Sequence, residues 1–120
     1  MILLDQFPRN CFRDTAHSYA TDGLARHYAM RAVEEGLDLQ LVPKLRAFIY
    51  LPFEHSEDPQ DQERSVAMFD VLGDKEYLQY AELHRDIIRR FGRFPHRNAV
   101  LGRMPSPEEL DYLAEGGFAG

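Results

Sequence analysis

Two stretches of the sequence combine a Phe-Pro turn with arginine and asparagine. The first reads DQFPRN at residues 5–10, and the second reads RFGRFPHRN at residues 90–98. Proline holds the residue before it extended, and the residues after it can begin a short helix with exposed backbone N–H groups. Arginine and histidine side chains beside such groups suit an anion. The two turns therefore predict one polar pocket for an anionic small molecule or peptide, with donors from Arg9, Arg93 and Arg97.

A third stretch, LPFEHSED at residues 51–58, places a histidine, a hydroxyl and three carboxylates just after a proline. A carboxylate beside a histidine orients the ring and raises its basicity. In one interpretation His55 orients the ligand, and in the other Ser56 and Asp58 simply cap helix ends. The candidate ligand-binding residues are Asp5, Arg9, Asn10, His55, Ser56, Glu57, Arg93, His96, Arg97 and Asn98.

A small hydrolase is a second interpretation of the same residues, and it leaves open whether the chain is an enzyme. His55 or Glu57 would act as the general base, with His96 as a further catalytic candidate. Arg93 or Arg97 would stabilise developing negative charge. The sequence contains no Gly-x-Ser-x-Gly elbow, so it predicts no serine nucleophile of that kind.

The segregation of charge along the chain supports a third interpretation, a purely structural protein-interaction scaffold. The net charge is −6, yet six of the twelve arginines lie within residues 85–103, while residues 54–63 hold five acids and no lysine or arginine. In the scaffold, the acids neutralise the arginines internally: Asp5, Glu54, Glu57 and Asp58 would face Arg9, Arg93 and Arg97. The acidic balance also disfavours nucleic acid as a partner.

Several other classes of site are not predicted. The five histidines form no His-x-x-x-His or Glu-x-x-His pattern, and neither a Cys-x-x-Cys pair nor a glycine-rich phosphate loop occurs. We therefore expect no metal and no cofactor. Cys11 is the single cysteine, which excludes an intramolecular disulfide and favours a cytoplasmic location. No apolar run approaches the roughly 20 residues that a membrane helix needs.

The elements that must position these residues are helical throughout. Capping residues, first-turn prolines and terminal glycines predict an all-α fold, with antiparallel helical pairs in an array or bundle. Pro52 is expected to break or kink its helix near residues 50–51. We expect a single domain over residues 1–120, with helices over about residues 22–35, 43–51, 58–72, 74–91 and 106–113.

Apolar spacing predicts the buried face of each helix. The first helix would bury Leu24, Tyr28, Ala32 and Val33, and the second Leu45, Phe48 and Ile49. The fourth would bury Tyr77, Tyr80, Ala81, His84, Ile87, Ile88 and Phe91. A histidine in the middle of such a stripe is either a hydrogen-bonded core residue or a ligand-binding one.

The start of the chain carries an isolated apolar segment. Residues 2–4 look like the last turn of a helix, but no helix precedes them in the sequence. An exposed apolar segment of this kind favours homo-oligomerisation.

Three long motifs resemble a bacterial family, the domain of unknown function 924. They are LLDQFPRNCFR at 3–13, YLPFEHSEDPQDQERSVAMF at 50–69 and HRDIIRRFGRFPHRNAVLGR at 84–103. The resemblance implies a tetratricopeptide-like helical fold and brings no activity with it. It also implies that the chain lacks about one helical pair that the family carries ahead of the first motif. Its motif positions include Gln6, Leu51, Pro52, Gln62, His84, Phe94 and Pro95 besides the candidate residues above.

Overall fold

The structure is a computed structural model that describes residues 22–118, and this range consists of helices and the turns between them. Two short 3-10 helices, Leu37–Gln40 and Pro95–Arg97, lie between longer elements. The α-helices are α1 (Asp22–Glu34), α2 (Pro43–Glu54), α3 (Pro59–Leu72), α4 (Lys75–Phe91) and α5 (Pro107–Ala114). The predicted all-α fold is confirmed.

The first four helices form an array in which each helix packs against the next. Helix α2 contacts α1, α3 and α4, and the largest contacts join α3 to its two neighbours. The short connections between these helices reverse the chain direction and make consecutive helices antiparallel. Helix α5 lies against the 3-10 helix Pro95–Arg97 instead. The tetratricopeptide-like character stays a prediction.

Local capping fixes the ends of the helices as the sequence predicts. The Asp58 carboxylate accepts the N–H of Gln60 at the start of α3. At the start of α5, Ser106 and Glu109 form a reciprocal capping box in which each side chain accepts the other's backbone N–H. Gly92 ends α4 with a φ of 73°, a left-handed conformation that a side chain would disfavour.

Pro52 does not end α2 near residues 50–51, so the expected break at that point is wrong. The helix continues to Glu54, and the N–H of His55 still donates to the carbonyl of Leu51 at 2.9 Å. Proline sits in the last turn, where its missing N–H removes only one hydrogen bond of the helix. The extra turn carries His55 and Ser56 beyond the point where the sequence placed the end of the helix.

The main core lies between α2, α3 and α4. The Tyr50 and Phe69 rings meet edge to face at 5.7 Å, and Tyr77 stacks on Phe69 at 5.4 Å. Phe53 completes the buried aromatic group. These side chains hold α2 and α4 on the two sides of α3, which sets the positions of the ends of α2 and α4.

Four residues of the predicted buried faces are exposed instead. Leu24, Tyr28 and Leu45 are each 47% exposed, and Tyr80 is 51% exposed. Helix α1 instead buries Ala25 and Ala29 fully. Small side chains let α1 approach α2 closely, and the larger ones then fall on the outer side. Within α4 the remaining stripe is correct: Ala81, His84, Ile87 and Ile88 are buried, while Tyr77 and Phe91 are partly buried.

We expect Phe69→Ala to lower the free energy of unfolding by roughly 3–5 kcal/mol, because it empties the centre of the main core. Urea unfolding followed by circular dichroism measures this loss. Val71→Ala on the same helix is the matched control. Val71 is 77% exposed, so its replacement should change the free energy by about 0.5 kcal/mol or less. Equal losses in the two variants would contradict this core.

Candidate functional site

The predicted site residues that the structure describes come from two parts of the chain. His55, Ser56 and Glu57 follow α2, and the others lie in the segment after α4, residues 93–103. We call this segment the RFPHRN turn. Asp5, Arg9 and Asn10 lie outside the described residues, as do the apolar residues 2–4. Hydrogen bonds between the two parts bring the described residues into one region.

Glu57 joins the two parts directly. Its Oε2 accepts the backbone N–H of Phe94 at 2.6 Å, and its Oε1 accepts from Arg103 Nη1 at 2.7 Å. Burial acts to raise the pKa of Glu57, but the hydrogen bonds from Arg103 and from Phe94 outweigh it and hold the pKa below 4.5. Both carboxylate oxygens are therefore occupied. This geometry does not favour Glu57 as a general base or as a ligand contact.

Arg103 is the partner that the sequence analysis missed. Its guanidinium lies bidentate on Glu57, its Nη2 donates to the carbonyl of Phe94 at 3.1 Å, and its Nε donates to Asn98 Oδ1 at 3.0 Å. The sequence signal for Arg103 is its position as the last of the six arginines within residues 85–103. Arg103 is the guanidinium that binds the carboxylate of Glu57.

Arg93 pairs with Glu109, a residue of the capping box at the start of α5. Its Nε and Nη2 donate to the two carboxylate oxygens at 2.9 and 2.6 Å, and Nη2 also donates to the carbonyl of Met104. Asn98 Nδ2 donates to the same carboxylate at 3.0 Å. Arg93 and Asn98 therefore fix α5 to the RFPHRN turn. The predicted contact of Arg93 with residues 54–58 is replaced by this pair.

Ser56 belongs to a separate polar group at the start of α3. Its Oγ donates to Asp61 Oδ2 at 2.7 Å, and the fully buried Asp61 also binds Arg26 and Arg64. Burial acts to raise the pKa of Asp61, and the hydrogen bonds from Arg26 and Ser56 lower it below its usual value. Gln62, also fully buried, donates from Nε2 to the carbonyls at the end of α2. Ser56 thus stabilises the turn before α3, whereas the cap of that helix is Asp58.

Arg97 lies between the end of α2 and the RFPHRN turn. It is 7% exposed, and its Nη2 donates to the carbonyl of His55 at 2.7 Å. Its guanidinium carbon lies 4.7 Å from the centre of the Phe94 ring, a cation–π contact. Its Nη1 is 4.0 Å from Asp22 Oδ2, which is a long contact for an ion pair.

Three histidines converge beside Arg97, and we call His55, His84 and His96 the histidine cluster. The His84 ring lies 6.1 Å from His55 and 5.4 Å from Phe94, measured between ring centres. The His96 ring lies 5.9 Å from Phe94. His55 Nε2 is also 3.7 Å from Glu54 Oε2. The cluster gathers side chains from the end of α2, from α4 and from the RFPHRN turn at one place.

His84 is a neutral imidazole held in one orientation. Its Nδ1 lies 2.7 Å from the carbonyl of Tyr80, which can only accept, so Nδ1 carries the proton and Nε2 is left as an acceptor. Burial lowers the pKa of His84 to about 4, partly offset by that hydrogen bond, and the nearby His55, His96 and Arg97 lower it further. His84 is therefore a hydrogen-bonded core residue, as one interpretation predicts, and its ligand-binding role stays a prediction.

Within residues 22–118, no three or more His, Cys, Asp or Glu side chains are grouped so that they could hold a metal ion. In the same part of the chain, every helix is too short or too polar to cross a bilayer.

The comparisons with known proteins bear on family but not on activity. A family profile described as a bacterial protein of unknown function (DUF924) matches residues 1–117. A solved structure of a protein of unknown function from Agrobacterium tumefaciens is 56% identical, with a TM-score of 0.91. The match covers 96% of this chain and 65% of that protein, so the chain spans less than two thirds of this relative. Among curated proteins, none matches.

We expect Glu109→Gln to be less stable than the wild type at pH 7, and the difference to shrink as the pH falls below about 4.5. Arg93, and to a lesser extent the hydrogen bonds from Ser106 and Asn98, hold the pKa of Glu109 far below its ordinary 4.5 despite burial. The stability that the carboxylate contributes is therefore present above pH 4.5 and is lost on acidification. Urea unfolding at several pH values tests this, with the exposed Glu108→Gln as a control that should unfold like the wild type at pH 7.

We expect His84 to titrate with a midpoint of about 4 in the folded protein and near 6.5 in the urea-unfolded chain. Between these values the unfolded chain binds more protons, so His84 makes the fold less stable as the pH drops from 6.5 to 4. The imidazole C2 proton resonance measures the midpoint, and its loss in His84→Gln assigns it. A folded-state midpoint near 6.5 would show that the ring is not buried.

Proposed function

This chain belongs to the bacterial family DUF924, whose function is unknown, and we propose that it is a helical module that binds an anionic small molecule or a peptide carboxylate. The proposed site is the histidine cluster together with Arg97. The observation that carries the proposal is the convergence of three imidazoles from three elements beside one buried guanidinium.

The proposal gives the predicted residues two roles. Glu57, Arg93 and Asn98 form hydrogen bonds that hold the RFPHRN turn against the end of α2 and against α5, so they are positioning residues. The proposal assigns the ligand contacts to Arg97, His55 and His96, because these side chains meet at one place. A guanidinium presents its donors in a planar fork that matches a carboxylate or a phosphate.

The electrostatics of the cluster favour an anion over a cation. Arg97 is charged at every physiological pH, and its charge helps to keep His84 neutral. A bound anion would face Arg97 and would raise the affinity of the neighbouring imidazoles for protons. Binding should therefore be accompanied by proton uptake. Arg97 would repel a cation, so a cation should bind this site poorly.

A protein-interaction scaffold is the second candidate, and a different observation favours it. Seven large apolar side chains in α1, in the connection that follows it and in the first half of α2 are more than a third exposed. They are Leu24, Tyr28, Leu37, Leu39, Leu41, Val42 and Leu45. Exposed apolar groups of this number are typical of a surface that meets another protein. Homo-oligomerisation and a cytoplasmic location stay predictions.

The hydrolase interpretation has less support. It needs a base with a free acceptor, and both oxygens of Glu57 are engaged by Arg103 and by the Phe94 N–H. The neutral imidazole of His84 is a weak base, because its pKa is about 4.

We expect the wild type to bind a small anion and Arg97→Lys to bind it about tenfold or more weakly, because lysine keeps the charge but loses the fork. Acetate, N-acetylglycine and inorganic phosphate are the probes, and calorimetry in two buffers of different ionisation enthalpy measures both affinity and proton uptake. Arg89→Gln is the matched control. Arg89 is exposed, pairs with Glu63 on the surface and should bind the anion like the wild type.

Two results would contradict the proposed function. One is a wild type that binds none of the three probes. The other is an Arg97→Lys protein that folds and binds as the wild type does. If Arg97→Lys does not fold, His96→Gln is the alternative variant, because His96 is only partly buried and should also weaken binding. Urea unfolding establishes the fold of each variant beforehand.

A further inference from the structure

We infer that the apolar side chains around the connection between α1 and α2 bind a second copy of this chain, so that two copies form a dimer. The surface consists of five side chains, and we call it the leucine face: Leu37, Leu39, Leu41, Val42 and Leu45. The inference goes beyond the proposed anion site. It names the partner for part of the exposed apolar surface on which the scaffold candidate depends.

The leucine face is exposed although the same connection buries an acid. Asp38 is 6% exposed, whereas its neighbours Leu37 and Leu39 are 45% and 71% exposed. The usual arrangement in a folded chain is the opposite, with leucine buried and the carboxylate in water. A cluster of exposed leucines of this kind is typical of a surface that meets another protein.

Hydrogen bonds keep Asp38 inside and its neighbours outside. The Tyr50 hydroxyl donates to Asp38 Oδ2, and Arg46 Nη2 donates to the oxygen of the same hydroxyl at 3.1 Å. The Leu41 N–H donates to the Asp38 carbonyl at 3.1 Å and closes the turn. A rotation that buried the leucines would break these bonds and leave buried polar groups unpaired. The face therefore already has a fixed shape, which reduces the entropy that binding costs.

The size of the leucine face suits a dimer interface. Val42 is 60% exposed and Leu45 is 47% exposed, and all five residues lie within residues 37–45. Together the five side chains present on the order of 450 Å², which is close to the apolar part of the roughly 800 Å² that each partner of a standard interface buries. A second copy that presents the same face would supply an equal apolar area.

The charge around the leucine face permits two copies to meet. Residues 22–46 carry no net charge, so the net charge of −6 comes from the rest of the chain. The four acids and four bases of this range are Asp22, Glu34, Glu35, Asp38, Arg26, Arg31, Lys44 and Arg46. A neutral surface gives a strongly acidic or basic partner no electrostatic advantage. In a two-fold dimer each copy offers both signs, with the exposed Glu34 and Lys44 at the two ends of the connection.

The leucine face and the histidine cluster lie at opposite ends of α2. Val42 precedes the first residue of this helix, and His55 follows the last. The 12 residues between them span about 18 Å. A substitution in the leucine face therefore leaves the histidine cluster in place, and dimerisation can be tested separately from anion binding.

Sedimentation velocity on the 120-residue chain tests the dimer. We expect the mass to rise from 13.9 kDa towards twice that value with a Kd on the order of 10 µM. Leu39→Glu and Val42→Glu should each raise the Kd about tenfold or more, because the interface would bury an unpaired carboxylate. Leu110→Glu is the matched control. Leu110 is 53% exposed on α5, so this variant should dimerise like the wild type.

Three results would overturn the inference. One is a wild type that stays at 13.9 kDa up to about 300 µM, which leaves the leucine face to another protein. Another is a Kd within about twofold of the wild type in the folded Leu39→Glu and Val42→Glu variants. The third is an equal weakening by Leu110→Glu, since the effect would then come from added charge and not from the face. Urea unfolding establishes beforehand that each variant folds.

Amide hydrogen exchange of the wild type locates the interface without any substitution. We expect the amides of residues 37–45 to exchange several-fold more slowly in a concentrated solution than in a dilute one, because the second copy covers them. The amides of residues 107–114 should exchange equally in both. Protection that is gained elsewhere, and not at residues 37–45, would contradict the inference.

The dimer and the anion site can fail independently. Arg97→Lys should dimerise like the wild type, and Val42→Glu should bind acetate like the wild type. If acetate binds and the chain stays monomeric, the proposed function stands and this inference fails. If the chain dimerises through residues 37–45 and binds none of the anions, the inference stands and the proposed function fails.

Discussion

The bond between the Glu57 carboxylate and the backbone of Phe94 is the constraint on which the candidate site depends. This hydrogen bond joins residues that are 37 positions apart in the sequence. Arg103, which is 46 positions from Glu57 in the sequence, donates to the same carboxylate. The RFPHRN turn has little regular structure of its own, so its place against the end of α2 is set by these side chains. A carboxylate with this many donors is satisfied and can be half-buried without a large penalty.

This arrangement shows how a segment rich in arginine is held in place by ion pairs and hydrogen bonds. Arg103 and Arg93 neutralise Glu57 and Glu109, and Asn98 links the two pairs through its oxygen and its nitrogen. The buried Arg97 donates from Nη2 to the carbonyl of His55, which attaches the same turn to the end of α2.

The parts of the fold that depend on neighbours in sequence could be predicted from the sequence. Asp58, Ser106 and Gly92 each act at a helix end within one turn of their own position. The residue type at that one position is therefore enough to predict the role. The buried face of α1 could not be predicted, because two alanines face inwards while Leu24 and Tyr28 face outwards. Which face of α1 is buried depends on how α1 packs against α2, and the residue spacing within α1 does not specify this packing.

The candidate site shows the same division. His84 was placed correctly on the inner stripe of α4, since three- and four-residue spacing determines that face. The partners of Glu57 and Arg93 could not be predicted, because the chain contains several arginines and several acids and the sequence does not show which of them pair.

The long sequence separation of the Glu57 contacts has a consequence for the order in which the molecule assembles. The helices from α1 to α4 pair with their neighbours in sequence, and such local contacts close small loops at low entropic cost. The contacts of Glu57 with Phe94 and Arg103 close much larger ones. Amide hydrogen exchange should therefore find two cooperative units, a slowly exchanging helical array and a less protected unit made of the RFPHRN turn and α5. The histidine cluster lies where the two units meet, so opening of the second unit alone would expose it while the array stays folded.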